Sequence, residues 1–343
     1  MIMKRLPILL LFGILSTVLS CVKTAETAGN EIKRLYLEDW LKNYPDARAE
    51  NGLYILEDEP GDGEEWNEGT GGYAFVNATV RSLSGTVTSN SIEEMAKQLQ
   101  GKDFSTADYY GPRAFAVGAE YSYAGFDRML RGMKVGGRRT AVIPSWYMTF
   151  YRYDTDEEYF ENESGYDSAI YTVIYRGQCA NISEWEKEQI QDYADKNMPG
   201  AIGSSPNADE VDPSQLLFLT RKAGENRLMP NDTTVYINYT GRLLNGQVFD
   251  TTDAIIAADN NIFDASKTYG PVSITWGESY SDLTMGDSGS LITGFKAALY
   301  MMHPYEKATV VFTSSYGYSS SGSGSRIPGY APLCFDLELV DKP

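Results

Sequence analysis

The feature that most constrains the fold of this chain is an internal repeat. The stretch FVNATVRSLSGTVTSNS (residues 75–91) aligns without gaps to YINYTGRLLNGQVFDTT (residues 236–252), and the two share an identical residue at six positions, each pair 161 residues apart. Similarity at a fixed separation indicates a duplicated structural unit. A chain of 343 residues also exceeds the usual size of a single hydrophobic core, so we expect two domains of modest size.

A second pair of matching stretches gives the element order within each copy. GFDRMLRGMKVGGRRTAVIPS (residues 125–145) parallels GFKAALYMMHPYEKATVVFTS (residues 294–314). Apolar residues at i, i+3, i+4 and i+7 predict one short amphipathic helix in each copy, and a turn and a β-branched strand follow it. These residues are Phe126, Met129, Leu130 and Met133 in the first copy and Phe295, Ala298, Leu299 and Met302 in the second. Each copy is therefore predicted to be an α+β unit with an antiparallel sheet packed on a single helix.

The segments outside the two copies give the domain boundaries. SEWEKEQIQDYADKN predicts a helix between the copies, and the Pro- and Gly-rich MPGAIGSSPNADEVDPS after it predicts a linker. A similar helix, EIKRLYLEDWLKNY, precedes the first copy. The predicted organisation is a tether and leading helix at 21–47, a first domain at 48–178, a helical connector and linker at 179–214, and a second domain at 215–343.

The first residues have the pattern of a targeting segment. Lys4 and Arg5 precede an apolar run, residues 6–19, that is too short for a membrane-spanning helix and typical of a secretory signal. The order Val-Leu-Ser-Cys ending at Cys21 resembles a bacterial lipobox, in which the cysteine becomes the lipidated first residue. We therefore expect residues 1–20 to be a lipoprotein signal peptide. The protein is expected to be a lipid-anchored membrane protein of the bacterial cell envelope, on the periplasmic face of the outer membrane.

Composition excludes several functional classes. There are 47 acidic against 29 basic residues and a formal charge of −18, which opposes binding to nucleic acid. The one histidine, His303, has no Cys or His at ligand spacing, so neither a metal site nor a Ser-His-Asp arrangement is supported. Cys179 and Cys334 are too far apart in sequence to suggest a disulfide framework, and they are interpreted as small apolar residues. No cofactor is expected.

The second copy resembles the FKBP-type peptidyl-prolyl cis-trans isomerases. The resemblance rests on four stretches in order: YTGRLLNGQVFD (239–250), PVSITWG (271–277), LITGF (291–295) and IPGYAPLCFDLELV (327–340). It implies two FKBP-like domains, each an antiparallel half-barrel sheet wrapped around one short helix. This fold agrees with the element order read from the repeats.

The resemblance also implies the site residues. It assigns catalytic roles to Tyr239, Phe249, Asp250, Ile292, Phe295 and Tyr318, and substrate contacts to Leu291, Ile327 and Phe335. By this alignment the aromatic residues form the walls of a pocket, and Phe295 forms its floor. Asp250 orients polar contacts at the pocket edge, and the backbone N–H of Ile292 is offered to the substrate carbonyl.

Some positions depart from the family pattern. Phe295 occupies the place where most members have Trp, which predicts a smaller floor and reduced activity. The connections Thr251–Gly270 and Glu278–Ser290 are longer than usual and lie near the pocket, so whether they close it is an open question. The stretch SSSGSGS (residues 319–325) is typical of a flexible loop.

The first copy is predicted to keep the fold and to lack the pocket. At the offset of 161, Ala78 replaces Tyr239, Thr88 replaces Phe249 and Ser89 replaces Asp250. Ser122 and Tyr123 fall where the second copy has Leu291 and Ile292. The first copy therefore lacks both the aromatic wall and the acid of the pocket.

Three functions are compatible with the sequence. The favoured one is an envelope prolyl isomerase that assists folding of proline-containing polypeptide clients, with catalysis in the second domain; the first domain would hold clients or form a homodimer. The alternative is a non-catalytic FKBP-like lipoprotein that binds peptides or proteins. A glycan-binding surface lipoprotein is the third, suggested by Tyr and Trp residues expected at the surface together with acidic residues.

Overall fold

A computed structural model describes residues 18–163, 165–286 and 289–342, with side chains from residue 29 onward. Most of the predicted signal peptide and the side chain of Cys21 lie outside the described residues. Within the described part of the chain, no helix is both long and apolar enough to cross a membrane.

The described residues form two compact units. The first unit contains the described residues up to Ile92 together with Phe115–Gln178, and the second contains Glu93–Ala114 together with the residues from Cys179 onward. The chain therefore enters the second unit in the middle of the first repeat and then returns. No pattern in the sequence indicates this excursion.

The elements up to residue 179 are four helices and seven strands within the described part of the chain. The helices are α1 (Val18–Leu41), α2 (Glu93–Gln100), α3 (Ala124–Leu130) and α4 (Asp156–Asn162). The strands are β1 (Arg48–Glu50), β2 (Leu53–Glu59), β3 (Tyr73–Ser82), β4 (Val87–Asn90), β5 (Arg113–Ala116), β6 (Arg138–Ile143) and β7 (Ala169–Cys179).

The elements after residue 179 follow a similar order. The helices are α5 (Ile182–Asn197), α6 (Ala254–Asp259) and α7 (Thr293–Met301). The strands are β8 (Ile202–Gly203), β9 (Leu216–Lys222), β10 (Thr233–Leu243), β11 (Val248–Thr251), β12 (Val272–Trp276), β13 (Thr284–Met285), β14 (Lys307–Phe312) and β15 (Leu333–Val340).

The two sheets have the same strand order. The first runs β1-β2-β6-β7-β3-β4, with β5 also paired to β3. The second runs β8-β9-β14-β15-β10, with β11 and β12 both paired to β10 and β13 added beyond β12. The strand pairs whose registers are resolved are antiparallel, for example β14 with β15 and β6 with β7. The predicted α+β fold with a duplicated unit is confirmed.

Even the irregularities of pairing recur at the predicted offset. Ser89 lies opposite Val80 and Asp250 lies opposite Gly241, and in both hairpins the register shifts directly after that pair. A β-bulge of this kind re-aims the side chains beside it. The two copies are therefore equivalent residue by residue in this hairpin.

Each helix packs on its own sheet through the face that the periodicity predicts. In the second unit Phe295, Ala298 and Leu299 of α7 are buried together with Ile237 of β10 and Val310 of β14. In the first unit Phe126, Met129 and Leu130 of α3 are buried in the same way, and Met133 is buried in the same core although the helix ends three residues before it. Burial of these apolar side chains is the main stabilising contribution to each unit.

Candidate functional site

One cavity in the second unit, with a volume of about 760 Å³, brings the predicted residues together. All nine lie around it: Tyr239, Phe249, Asp250, Leu291, Ile292, Phe295, Tyr318, Ile327 and Phe335. The volume lies within the range of about 300–1,000 Å³ found for small-ligand pockets. The cavity is large enough for a proline ring and its neighbouring residues.

Aromatic rings form the inner walls of the cavity. Phe335 on β15 lies at the centre, with its ring centroid 5.0 Å from Phe295, 5.5 Å from Phe249 and 6.3 Å from Tyr239. The contacts with Phe295 and Phe249 are T-shaped, a geometry that aromatic pairs favour. These rings make an apolar surface on the inner side of the cavity.

Gly241 on β10 is required by this close approach of rings. A Cβ atom at this position would lie 2.6 Å from the Phe249 ring and 2.7 Å from the Phe335 ring, closer than real contacts allow. In the first copy the equivalent residue is Val80, by the pairing described above. A side chain at this place is incompatible with the same aromatic cavity.

Tyr239 and Asp250 form the polar edge of the cavity. Tyr239 and Gly241 lie on one face of β10, since side chains alternate along a strand, and Asp250 of β11 pairs with Gly241. The Tyr239 hydroxyl donates to Asp250 Oδ2 at 2.6 Å. Burial, and then the hydrogen bond to Asp250, raises the pKa of Tyr239 well above its ordinary value. The Tyr239 hydroxyl therefore stays a hydrogen-bond donor even above the ordinary pKa of a tyrosine.

Two further groups fix the other oxygen of the Asp250 carboxylate. Asp250 Oδ1 accepts from the backbone N–H of Thr251 at 2.9 Å and from the ammonium group of Lys267. Lys267 also donates to the Thr251 carbonyl at 3.1 Å. The carboxylate is thus held in one orientation by three donors, counting the Tyr239 hydroxyl.

Ile292 provides a backbone donor at the cavity. It is the N-cap residue of α7, with φ −67° and ψ 149°, and its carbonyl accepts from the N–H of Lys296 at 3.1 Å. Its own N–H has no hydrogen-bond partner among the described residues. The N-terminus of a helix carries partial positive charge, so this N–H is suited to bind a carbonyl oxygen.

The loop from 318 to 330 closes one side of the cavity. Its sequence is rich in Ser and Gly, yet Ser323 and Ile327 exchange two backbone hydrogen bonds of 2.8 and 3.1 Å. Arg326 donates to the Phe249 carbonyl at 3.2 Å. Sequence reasoning missed the lining residues Ser323, Gly324, Ser325 and Arg326, because a low-complexity loop gives no register by which to align them.

The two long connections contribute differently. Met285 and Ser290, from the segment 278–290, line the cavity. Of the described residues between 251 and 270, none lines it, although Lys267 reaches Asp250 from that segment. The cavity persists with the described residues of both connections in place.

The first unit uses the equivalent position for a different network. Asp127 on α3 accepts from the backbone N–H of Gly118 at 3.0 Å, from Arg152 at 2.6 Å and from the hydroxyl of Ser122. Ser122 is the residue that aligns with Leu291, and its main chain is fixed by a bond from its N–H to the Gly118 carbonyl. The start of α3 is therefore tied into the unit's own polar contacts.

The chemistry available in the cavity follows from its lining. No group of three or more His, Cys, Asp and Glu side chains suited to a metal ion occurs in the part of the chain that the structure describes. The cavity offers aromatic walls, a fixed hydroxyl–carboxylate pair and a backbone N–H. This arrangement can desolvate a planar amide and hold its carbonyl while the bond rotates.

Comparison with known proteins identifies the family. The family model for FKBP-type peptidyl-prolyl cis-trans isomerase matches residues 89–173 and 225–340, so it falls on both copies. The chain is 26% identical over 128 residues to a probable FKBP-type peptidyl-prolyl cis-trans isomerase of Haemophilus influenzae, covering 37% of this chain and 43% of that protein. It is 31% identical over 104 residues to FK506-binding protein 2 of Dictyostelium discoideum, covering 30% and 61%.

The alignments leave part of each relative uncovered. The chain spans less than two thirds of the length of either of these curated relatives. Among solved structures, it is similar to FkpA from Escherichia coli at 21% identity and a TM-score of 0.32, over 46% of this chain and 58% of that chain. Since the family model matches more than half of its residues, in two separate regions, the chain belongs to the FKBP-type peptidyl-prolyl cis-trans isomerase family.

Proposed function

We propose that the protein is a peptidyl-prolyl cis-trans isomerase and that the cavity of the second unit carries the activity. The observation on which this rests is the joint placement of the aromatic walls, the Tyr239–Asp250 pair and the Ile292 N–H around one cavity. The substrates are X-Pro bonds in proline-containing polypeptides.

The mechanism requires neither a nucleophile nor a metal. Amide resonance gives the X-Pro bond a rotation barrier of about 18–20 kcal/mol and makes uncatalysed isomerisation slow. Twisting the bond breaks the resonance and reduces the amide dipole. An apolar cavity that removes water from the amide therefore favours the twisted state over the planar one. The Ile292 N–H holds the carbonyl, and Asp250 orients the polar contacts at the edge.

The first unit does not isomerise X-Pro bonds in this proposal. Its Ala78, Thr88 and Ser89 provide neither an aromatic wall nor an acid, and Val80 carries a side chain at the position that must be glycine in the second unit. We propose that the first unit holds clients or mediates dimerisation.

Exchange of Gly241 for the residue of the first copy tests which unit is active. The full-length protein is assayed for isomerisation of a proline peptide with a coupled protease. Gly241→Val should abolish the acceleration because its side chain displaces the Phe249 and Phe335 rings, and circular dichroism checks that the variant is folded. The matched variant Val80→Ala in the first copy should keep wild-type activity. Full activity in Gly241→Val, or loss of activity in folded Val80→Ala, would reverse the assignment.

A second candidate function is peptide binding without catalysis. Phe295 favours it, because a floor smaller than the family's usual Trp gives the twisted amide a less extensive apolar contact. In this case the wild-type protein binds proline peptides, Gly241→Val abolishes that binding, and neither protein accelerates isomerisation.

We further propose that the protein assists folding in the bacterial envelope, anchored by lipid on Cys21. The basic residues Lys4 and Arg5, the apolar run 6–19 and the residues before Cys21 support this proposal. Cys21→Ser removes the acceptor thiol, so the precursor should stay unprocessed. Without the lipid, the variant should no longer partition into detergent as a lipid-modified protein does. Metabolic labelling with a radioactive fatty acid measures this directly, and equal labelling of both proteins would contradict the proposed anchor.

A further inference from the structure

Residues Glu93–Ala114 belong to the second unit, although they lie between two strands of the first repeat. Part of this segment contacts the loop that closes the cavity. We propose that Asp108 and Tyr109 position this loop, and in particular Ser325, for substrate binding. The kinetic test of this inference rests on the proposed isomerase function. The contacts from which it is argued are independent of that function.

Ser325 is held from both its main chain and its side chain. The Tyr109 N–H donates to the Ser325 carbonyl at 2.9 Å, and the Ser325 hydroxyl donates to Asp108 Oδ1 at 2.5 Å. Ser325 lines the cavity, as does its neighbour Arg326, which bonds to the Phe249 carbonyl. The two contacts therefore act at the middle of the stretch that forms the cavity rim.

The supporting segment is itself fixed on the second unit. Gln247, in the turn between β10 and β11, donates through its side-chain amide to the Ala107 carbonyl at 2.8 Å and to the Asp108 carbonyl at 3.2 Å. Ala107 is only 3% exposed and packs with Val248, next to Gln247, and with Ala257 of α6. The support is thus connected to the same hairpin that carries Asp250.

The side chain of Tyr109 fixes the backbone of the supporting segment. Its side chain packs against the core of the second unit, and its hydroxyl donates to the Pro112 carbonyl at 2.9 Å. The backbone at Gly111 passes close to the same side chain, because a Cβ atom at this position would lie 2.2 Å from the Tyr109 hydroxyl oxygen. The N–H that reaches Ser325 is therefore presented from a defined backbone position.

The composition of the loop explains why outside support matters. Ser- and Gly-rich segments have high conformational entropy, and ordering them on binding costs free energy. Two hydrogen bonds from Asp108 and Tyr109 order the rim before substrate arrives, which reduces that cost. In the proposed mechanism the Ile292 N–H holds the carbonyl of the rotating bond, and Ser325 has no part in that step. The contacts should accordingly affect KM more than kcat.

The test compares Asp108→Ala with Asp103→Ala in the full-length protein. Both variants remove one carboxylate from the same segment, but Asp103 is exposed, while Asp108 bonds to Ser325. Loss of one hydrogen bond should raise KM by about two- to tenfold, with kcat within about twofold of wild type. Asp103→Ala should behave as wild type.

Amide hydrogen exchange gives a readout independent of activity. Asp108→Ala should exchange faster in residues 319–329, and Asp103→Ala should not. Ser325→Ala, which breaks the same bond from the other side, should reproduce the KM change, and the double variant should add little to it. Unchanged KM together with unchanged exchange in Asp108→Ala would overturn the inference, as would a fall in kcat at constant KM. If the wild-type protein shows no isomerase activity, the proposed function fails, and exchange alone decides the inference.

Discussion

The phenolic oxygen of Tyr239 lies 2.6 Å from Asp250 Oδ2, although eleven positions separate the two residues in sequence. The hairpin of β10 and β11 brings them together, a bulge directly follows the Gly241–Asp250 pair, and both Tyr239 and Asp250 line the cavity. This pair joins the aromatic wall to the polar edge. Changes to either residue therefore test different parts of the proposed mechanism.

Tyr239→Phe removes the hydroxyl and keeps the ring. Asp250 retains its contacts with Lys267 and the Thr251 N–H, so its orientation should be loosened rather than lost. We expect kcat/KM to fall by about three- to tenfold and the free energy of unfolding by about 1 kcal/mol, the contribution of a typical hydrogen bond. Isomerisation kinetics and urea unfolding measure the two effects. A variant as active as wild type would show that the hydroxyl has no role in catalysis.

Phe249→Ala removes a cavity wall that is also part of the core. Phe249 is 6% exposed, so its truncation should cost about 3–5 kcal/mol of unfolding free energy and nearly all activity. Phe263→Ala is the matched control, because Phe263 belongs to the same unit and is 54% exposed. Its cost should be about 1 kcal/mol or less, with activity retained. Equal destabilisation of the two variants in urea would contradict the packing described for Phe249.

Glu186 on α5 predicts a dependence of stability on pH. The side chain is 3% exposed and accepts from the Ser314 N–H at 2.6 Å and from the Ser314 hydroxyl at 2.7 Å. Burial raises the pKa of Glu186 above its ordinary value near 4.5, although the Ser314 bonds oppose this shift. The folded protein therefore holds this proton more tightly than the unfolded chain. Protonated Glu186 therefore contributes to the unfolding free energy. This contribution is complete below the ordinary pKa of the unfolded chain, and it is lost as the pH rises through the raised pKa of the folded protein.

The variant Glu186→Gln isolates this effect. Unfolding free energies of wild type and variant are compared from about pH 5 to about pH 8. The difference should shift in favour of the variant as the pH rises, since all other titrating groups are common to both proteins. A difference that shifts in favour of wild type would indicate that the buried carboxyl is stabilised as a charge.

The fold and the core of the site could be predicted from sequence because both are encoded locally. Asp250 pairs with Gly241 in one hairpin, and Ser89 pairs with Val80 in the other. Both residues of the first pair lie 161 residues after those of the second, so the sequence repeat identifies the two hairpins as equivalent. The apolar spacing that begins at Phe295 defines the buried face of α7. Ordered motifs then indicate which side chains surround the cavity.

The parts that could not be predicted depend on contacts between distant segments. Lys267 reaches Asp250 from a connection that has no periodic pattern, so nothing in its spacing indicates the pairing. The segment Glu93–Ala114 carries no signal for the core on which it packs, and Ala107 is a small residue of a polar stretch. Low-complexity sequence similarly indicates a loop at 319–325 without indicating its partner, Asp108.

The most direct test of the account is kcat/KM for Asp250→Ala in the full-length protein. Asp250 lies near the end of a strand with its side chain 43% exposed, so loss of its hydrogen bonds should lower the unfolding free energy by only about 1–2 kcal/mol and leave the protein folded. If it orients the contacts around a bound X-Pro bond, kcat/KM should fall by about ten- to a hundredfold, or about 1.4–2.8 kcal/mol of transition-state stabilisation. The equivalent change in the first copy, Ser89→Ala, should leave kcat/KM at the wild-type value. Full activity of Asp250→Ala combined with a lower melting temperature would contradict the account, because Asp250 would then be a structural residue.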